Sequence, residues 1–230
     1  MDIHGLQKLT LLDFPGHIAC TVFLGGCDFR CPFCHNAEII DGSSEVIMKD
    51  DELLEFLKKK QGLLDGVAIT GGEPLLRKDL PEFLEKVRAL GYQIKLDTNG
   101  THPERLRELM EKELVDYVAM DIKNSPARYA QTAGLKSMDL SSVRESVSLL
   151  LTGKADYEFR TTVLAELHDE ESFREIGKWI RGAKRYFLQP FVDRDSVPFG
   201  GLHAPSREAL IGFLEIVKPY VEQAEIRGMD

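Results

Sequence analysis

Residues 92–100 read YQIKLDTNG, and their alternation decides the fold. Gln93, Lys95 and Asp97 fall on one face of an extended segment and Ile94 and Leu96 on the other, because side chains alternate at period two along a strand. A strand in a parallel sheet covered on both faces reads apolar throughout. This one keeps a polar face, which must look into a wet or ligand-filled space. Residues 157–163, YEFRTTV, repeat the pattern: Glu158, Arg160 and Thr162 oppose Tyr157, Phe159, Thr161 and Val163.

Further strand-like runs lie at Ile18–Leu24, Val67–Thr70, Asp116–Asp121 and Arg185–Gln189, alternating with amphipathic helical stretches. Asp50 is expected to cap a helix with Leu53, Leu54 and Leu57 on one face. Asp79 and Pro81 open a second, with Phe83, Leu84, Val87 and Leu90 as its stripe and Gly91 as its stop. Pro103 opens a third, with Leu106, Leu109 and Met110. Asp139 precedes Val143, Val147 and Leu150, and Gly153 ends that helix. A fifth carries Phe173, Ile176 and Ile180, and a sixth runs from Ser206 through Leu210, Phe213, Leu214 and Val217. Strand–helix alternation implies a parallel sheet with right-handed crossovers. Six units are too few for a closed eight-stranded barrel. With a polar lumen they predict an α/β fold, a partial (β/α)6 barrel with helices outside. A Rossmann-like sheet is the alternative, but no strand here is followed by G-x-G-x-x-G. The expected organisation is one domain over 1–230: an N-terminal strand or hairpin arm in 1–17, turned by Asp13–Gly16, six units in 18–220 and a tail in 221–230.

Composition narrows the class. A chain of 230 residues with 43% hydrophobic and 29% charged residues is an ordinary globular protein. It has no apolar run near the ~20 residues that span a bilayer. The start, MDIHGLQK, has neither a basic nor an apolar signal region, so a reducing cytoplasm and no membrane partner are expected. A net charge of −9 argues against nucleic acid, whose phosphates select basic surfaces.

Residues 24–36 read LGGCDFRCPFCHN, placing Cys27, Cys31 and Cys34 on a loop leaving the first of the six strands. Three thiolates in C-x₃-C-x₂-C can hold three corners of a 4Fe–4S cluster and leave one iron open. Ferredoxins close their clusters with four thiolates at other spacings. An open metal position is what a catalytic site needs. A Cys₃His zinc site with His35 as fourth ligand, and a disulfide pair, are the competing readings. Cys20, inside the apolar strand, reads as an inert buried thiol. Other strand ends are polar too, as α/β barrels use them for chemistry. The second ends in Thr70-Gly71-Gly72-Glu73-Pro74, where two glycines let backbone approach a ligand and Glu73 offers an acceptor suited to an ammonium. The third ends in Asp97-Thr98-Asn99-Gly100 and the fourth in Asp121-Ile122-Lys123.

CDFRCPFC resembles the cluster loop of the radical S-adenosylmethionine (SAM) superfamily, and CPFCHN is more similar to its glycyl-radical enzyme activating branch. The resemblance implies a 4Fe–4S cluster on Cys27, Cys31 and Cys34, with SAM chelated by the open iron. It implies SAM contacts at Phe33, Gly71, Gly72, Glu73, Asp97, Asn99, Asp121, Lys123 and Arg160, and a monovalent cation at Asp97, Thr98 and Asp121. The activity implied is reductive cleavage of SAM, with a glycyl radical generated on a partner enzyme and flavodoxin or ferredoxin as electron donor. The opening Gly5–Lys8 with Leu11–Gly16 looks like the anaerobic ribonucleoside-triphosphate reductase activating proteins. Alternatives are a pyruvate formate-lyase-type activase, a small-molecule enzyme related to 7-carboxy-7-deazaguanine synthase and, more distantly, a zinc-binding non-enzymatic module. Gln189 has no assigned role. His35 and Asn36 are not ligands in the resemblance. His4, His17, His102, His168 and His203 are expected to be solvent-exposed or capping, Trp179 to pack on its helix, and Asp169–Glu171 to form a solvated helix start.

Overall fold

The N-terminal run Asp2–Thr10 forms strand β1, which pairs antiparallel with β2 (Ala19–Leu24). The computed structural model describes residues 1–41, 43–153 and 155–229. β2 is buried along nearly its whole length, and so it takes partners on both edges. β1 lies on one, and β4 (Gly66–Gly71) runs parallel on the other. A two-residue strand, β3 (Met48–Lys49), lines the outer edge of β1. Two residues are too few to show an alternation, which is why the sequence does not announce it. β5 (Gln93–Thr98) continues parallel to β4.

The chain divides into two compact units. The first holds Met1–Asp28 and Glu38–Val118, with strands in the order β3-β1-β2-β4-β5. Its helices are α2 (Asp50–Lys60), α3 (Leu80–Ala89) and α4 (Pro103–Glu111), and the short α1 (Ala37–Asp41) leads into it. Leu53, Leu54, Leu57, Phe83, Leu84, Val87, Leu106 and Leu109 are buried as their spacing requires. Asp50 is the first residue of α2 rather than its cap. Glu52 instead accepts the backbone N–H of Lys49 at 2.9 Å. Strand β6 (Tyr117–Asp121) begins here, with Asp116 N donating to Ile94 O at 2.8 Å.

The second unit holds Phe29–Ala37, Ala119–Gly153 and the chain from Tyr157 on. It contains α5 (Tyr129–Thr132), α6 (Ser141–Thr152), β7 (Asp156–Val163), α7 (Glu170–Trp179), β8 (Arg185–Pro190), α8 (Arg207–Val217) and β9 (Gln223–Ile226). β7, β8 and β9 are parallel, and Ile122 N donates to Arg160 O at 2.8 Å. The expected tail therefore carries a strand. Just beyond it, Arg227 forks onto Glu158 of β7 at 2.8 and 2.9 Å, and its guanidinium lies 3.6 Å from the centre of the Phe187 ring. Glu158, expected on a wet face, is fully buried and answered by that arginine. His168 also departs from expectation. It is buried, its Nδ1 accepts from Leu164 N at 3.2 Å, and its Nε2 donates to Lys123 O at 2.9 Å. Burial holds its pKa below the usual imidazole range. Trp179 meets Tyr129 edge-on and Arg144 by its face, and Asp169 caps α7 through Ser172 N.

Candidate active site

In the first unit the turn after β4 is laced to the residues entering Cys27. Gly72 N donates to Leu24 O (2.9 Å) and Glu73 N to Gly26 O (2.8 Å). A Cβ on Gly72 would stand 1.9 Å from Gly26 O, so only glycine fits. Gly71 has φ +119°. The Glu73 carboxylate, expected to face a ligand ammonium, is turned inward and has no exposure. Its Oε1 accepts from Leu75 N and Thr98 Oγ1, each at 3.0 Å, and its Oε2 from Asn99 N at 2.7 Å. Burial pushes its pKa up to about 7 against those three donors. The geometry makes Glu73 a staple between the β4 and β5 ends.

The segment Asp97–Gly100 is a turn with side-chain bonds of its own. Gly100 N donates to Thr98 Oγ1 (3.1 Å) and Thr101 N to Asn99 Oδ1 (2.9 Å). With Oδ1 so engaged, Asn99 Nδ2 points to Cys27 Sγ at 3.8 Å. Thr101 Oγ1 and His102 Nε2 both reach Asp28 Oδ2, at 2.7 and 2.8 Å. The bond to Asp28 is the main cause that raises the His102 pKa. His102 is thus tied to the residue after Cys27 rather than left in solvent. Lys95, on the same face of β5, is buried and paired with Asp97 Oδ1.

In the second unit Cys31 and Phe33 are buried, Cys34 is half-buried, and Cys34 N donates to Cys31 O at 3.2 Å. Arg30 N donates to Ala133 O (2.9 Å), and Gly134, at φ +72°, lies so close that a Cβ would stand 1.9 Å from Arg30 O. The sequence reading missed Gly134. Its only signal is a glycine just past a short helical stretch, the usual left-handed stop. His35 donates from Nε2 to Val192 O at 2.7 Å and stacks on Phe191. Asp121 is bonded by Arg160 Nε at 2.5 Å and Lys123 Nζ at 2.8 Å. Burial opposes its ionisation, but Arg160 and then Lys123 override it and hold the carboxyl well below the usual range. Lys123 is likewise penalised by burial and kept charged by Asp121, then by Cys31. Gln189, at the end of β8, is half-buried.

The donor chemistry separates the metal readings. Among the described residues no three His, Cys, Asp or Glu side chains converge as ligands of one ion. His35 commits its Nε2 to Val192 O. A 4Fe–4S cube takes each thiolate on a different iron and needs no such convergence, and Cys27, Cys31 and Cys34 supply three sulfurs for it. The triad fits a cluster. Cys20 is fully buried, and burial pushes its thiol up to about 12.

Residues 21–179 match the model of the radical SAM superfamily. The chain belongs to that superfamily. Its fold is the superfamily's α/β fold, and the superfamily's cofactors are a 4Fe–4S cluster and SAM. A protein of Methanocaldococcus jannaschii with the provisional name glycyl-radical enzyme activating enzyme is 30% identical over 239 residues, covering 99% of this chain and 96% of that protein. The pyruvate formate-lyase-activating enzyme of Listeria monocytogenes is 34% identical over 131 residues, 53% of this chain and 52% of that enzyme. Streptococcus suis SuiB bound to precursor peptide SuiA aligns with a TM-score of 0.71 at 14% identity, covering 90% of this chain and 48% of that one. That likeness shows the fold alone. Among the described residues no helix is long and apolar enough to cross a membrane.

Proposed function

We propose that this radical SAM enzyme is an activase that generates a glycyl radical on a partner enzyme. The observation that carries the reading is the match, nearly end to end, to the M. jannaschii protein of that provisional name. A 4Fe–4S cluster held by Cys27, Cys31 and Cys34, with SAM beside it, would supply the reductive SAM cleavage that removes hydrogen from a glycine of the partner, the electron coming from the external donor. The chain supplies position and exclusion of water. Cys27, Cys31 and Cys34 hold the cluster. Phe33, Gly71, Gly72, Asp97, Asn99, Asp121, Lys123 and Arg160 contact SAM, and Glu73 braces that set from behind. Asn99 donates toward Cys27 Sγ, a hydrogen bond of the kind that adjusts cluster potentials.

The partner we favour is an anaerobic ribonucleoside-triphosphate reductase, supported by the opening Gly5–Gly16, with flavodoxin or ferredoxin as donor in a cytoplasmic setting. Anaerobic incubation of the reconstituted enzyme with that reductase, SAM and a reductant should yield a glycyl-radical EPR doublet, with hydrogen from the glycine appearing in 5′-deoxyadenosine. A doublet only with a pyruvate formate-lyase-type partner would move the assignment to that activase. Turnover of a free pterin without any protein partner would instead favour the 7-carboxy-7-deazaguanine synthase type and end the activase reading.

A further inference from the structure

The alkali cation expected beside Asp97, Thr98 and Asp121 does not fit the residues that surround those oxygens. Parity sets Lys95 and Asp97 on one face of β5. The Lys95 side chain is only 3% exposed, and its ammonium is seated on Asp97 Oδ1. Thr98 Oγ1, the next expected ligand, donates to Glu73 and accepts from Gly100 N. In the second unit both Asp121 oxygens carry protein cations, Arg160 on one and Lys123 on the other. In the first unit a fixed protein cation thus already answers Asp97, and in the second two of them answer Asp121. A buried ammonium also needs its carboxylate, since an unpaired buried charge costs several kcal/mol. Lys95 is therefore not available to step aside for an ion.

We infer that the Lys95 ammonium takes the place of the monovalent cation, and that SAM binding by this chain is indifferent to alkali metal ions. Lys95 acts as a positioning residue: it fixes the Asp97 carboxylate at the end of β5, and a diffusible ion has nothing left to do there. The SAM part of this inference rests on the proposed cofactor site, whereas its thermal part does not.

The test compares the reconstituted holoenzyme in KCl, NaCl and choline chloride at equal ionic strength, reading SAM dissociation constant and Tm. Wild type should give the same values in all three salts. Lys95→Met, which keeps the stem and removes the charge, should in choline bind SAM about tenfold more weakly, the usual scale for a lost charge-assisted contact, and melt lower. KCl should restore both, because K⁺ can now occupy the vacated position. Lys95→Arg should behave as wild type in every salt, and it carries the comparison if Lys95→Met does not fold. Loss of SAM affinity or Tm by wild type in choline overturns the inference, as does a Lys95→Met defect that K⁺ leaves untouched. A wild type that binds no SAM in any salt instead sinks the cofactor site, and the Tm values then decide the matter for Lys95.

Discussion

Glu73 shows that the position of a motif residue and the direction of its side chain are separate questions. Its position in Gly71–Pro74 was legible, but the direction of its carboxylate was not, because that depends on Thr98 and Asn99 arriving from another strand. Glu73→Ala should weaken SAM binding roughly tenfold, since its removal frees Asn99 N and Thr98 and loosens the turn. Affinity equal to wild type by equilibrium dialysis would show that the staple is dispensable. The same group gives a pH signature. Its carboxyl titrates at 4.5 in the unfolded chain and about 7 in the native one, so the native state holds the proton more tightly. Stability from this site is therefore full below 4.5 and is lost as pH rises to about 7. Glu73→Gln should flatten Tm against pH across that window; an unchanged slope would mean that the carboxyl is not perturbed. Among the thiols, replacing Cys27, Cys31 or Cys34 by Ala should each abolish the complement of about four irons per chain, whereas Cys20→Ala should leave it intact by iron and sulfide assay.

The periodic elements were legible because their burial is one-sided. Strands β2, β4, β5, β6, β7 and β8 and all six of the helix stripes fall within a residue or two of their expected spans. What escaped notice has no periodicity to show: β3 with its two residues, the four-residue α5, and β9, whose fate hangs on Arg227 reaching Glu158. That pair is a sharp test of the β8–β9 edge. Arg227→Ala takes two hydrogen bonds from a fully buried carboxylate and should cost about 1.5–3 kcal/mol, while replacing both partners together by apolar residues should cost far less. Equal losses by chemical denaturation would contradict the assignment. The loop elements give a second test. Gly134→Ala places a methyl group where Arg30 O already lies, at a φ that favours glycine. Cluster content after reconstitution should fall severalfold, with Tm falling too, because the chain between Cys27 and Cys31 must shift. Full iron incorporation would show that the loop yields cheaply.

At the scale of the molecule, the alternation in 92–100 and 157–163 was decisive for an α/β fold, yet its polar face proved less uniform than period two suggests. Gln93 is exposed, Lys95 and Glu158 are buried in ion pairs, and Asp97 near the end of β5 and Arg160 midway along β7 are half-buried. Sequence parity gives the face of a residue but not its depth along the strand, and depth decides whether a charge is paired internally or offered to a ligand. The two units should respond to acid differently. In the second, buried His168 has a depressed pKa, so its contribution is present above 6.5 and lost as pH falls below it. His168→Gln should remove that acid-side loss of Tm; if the loss persists, His168 is not its source. Cys20 offers a different kind of access to the fold. Its thiol lies sealed near the start of β2, so a soluble alkylating reagent meets it only when that strand opens. The rate at which Cys20 acquires label is then a clock for opening of the strand that delivers the cysteine loop. It can be read by mass spectrometry in the same sample whose other three thiols report the state of the cluster.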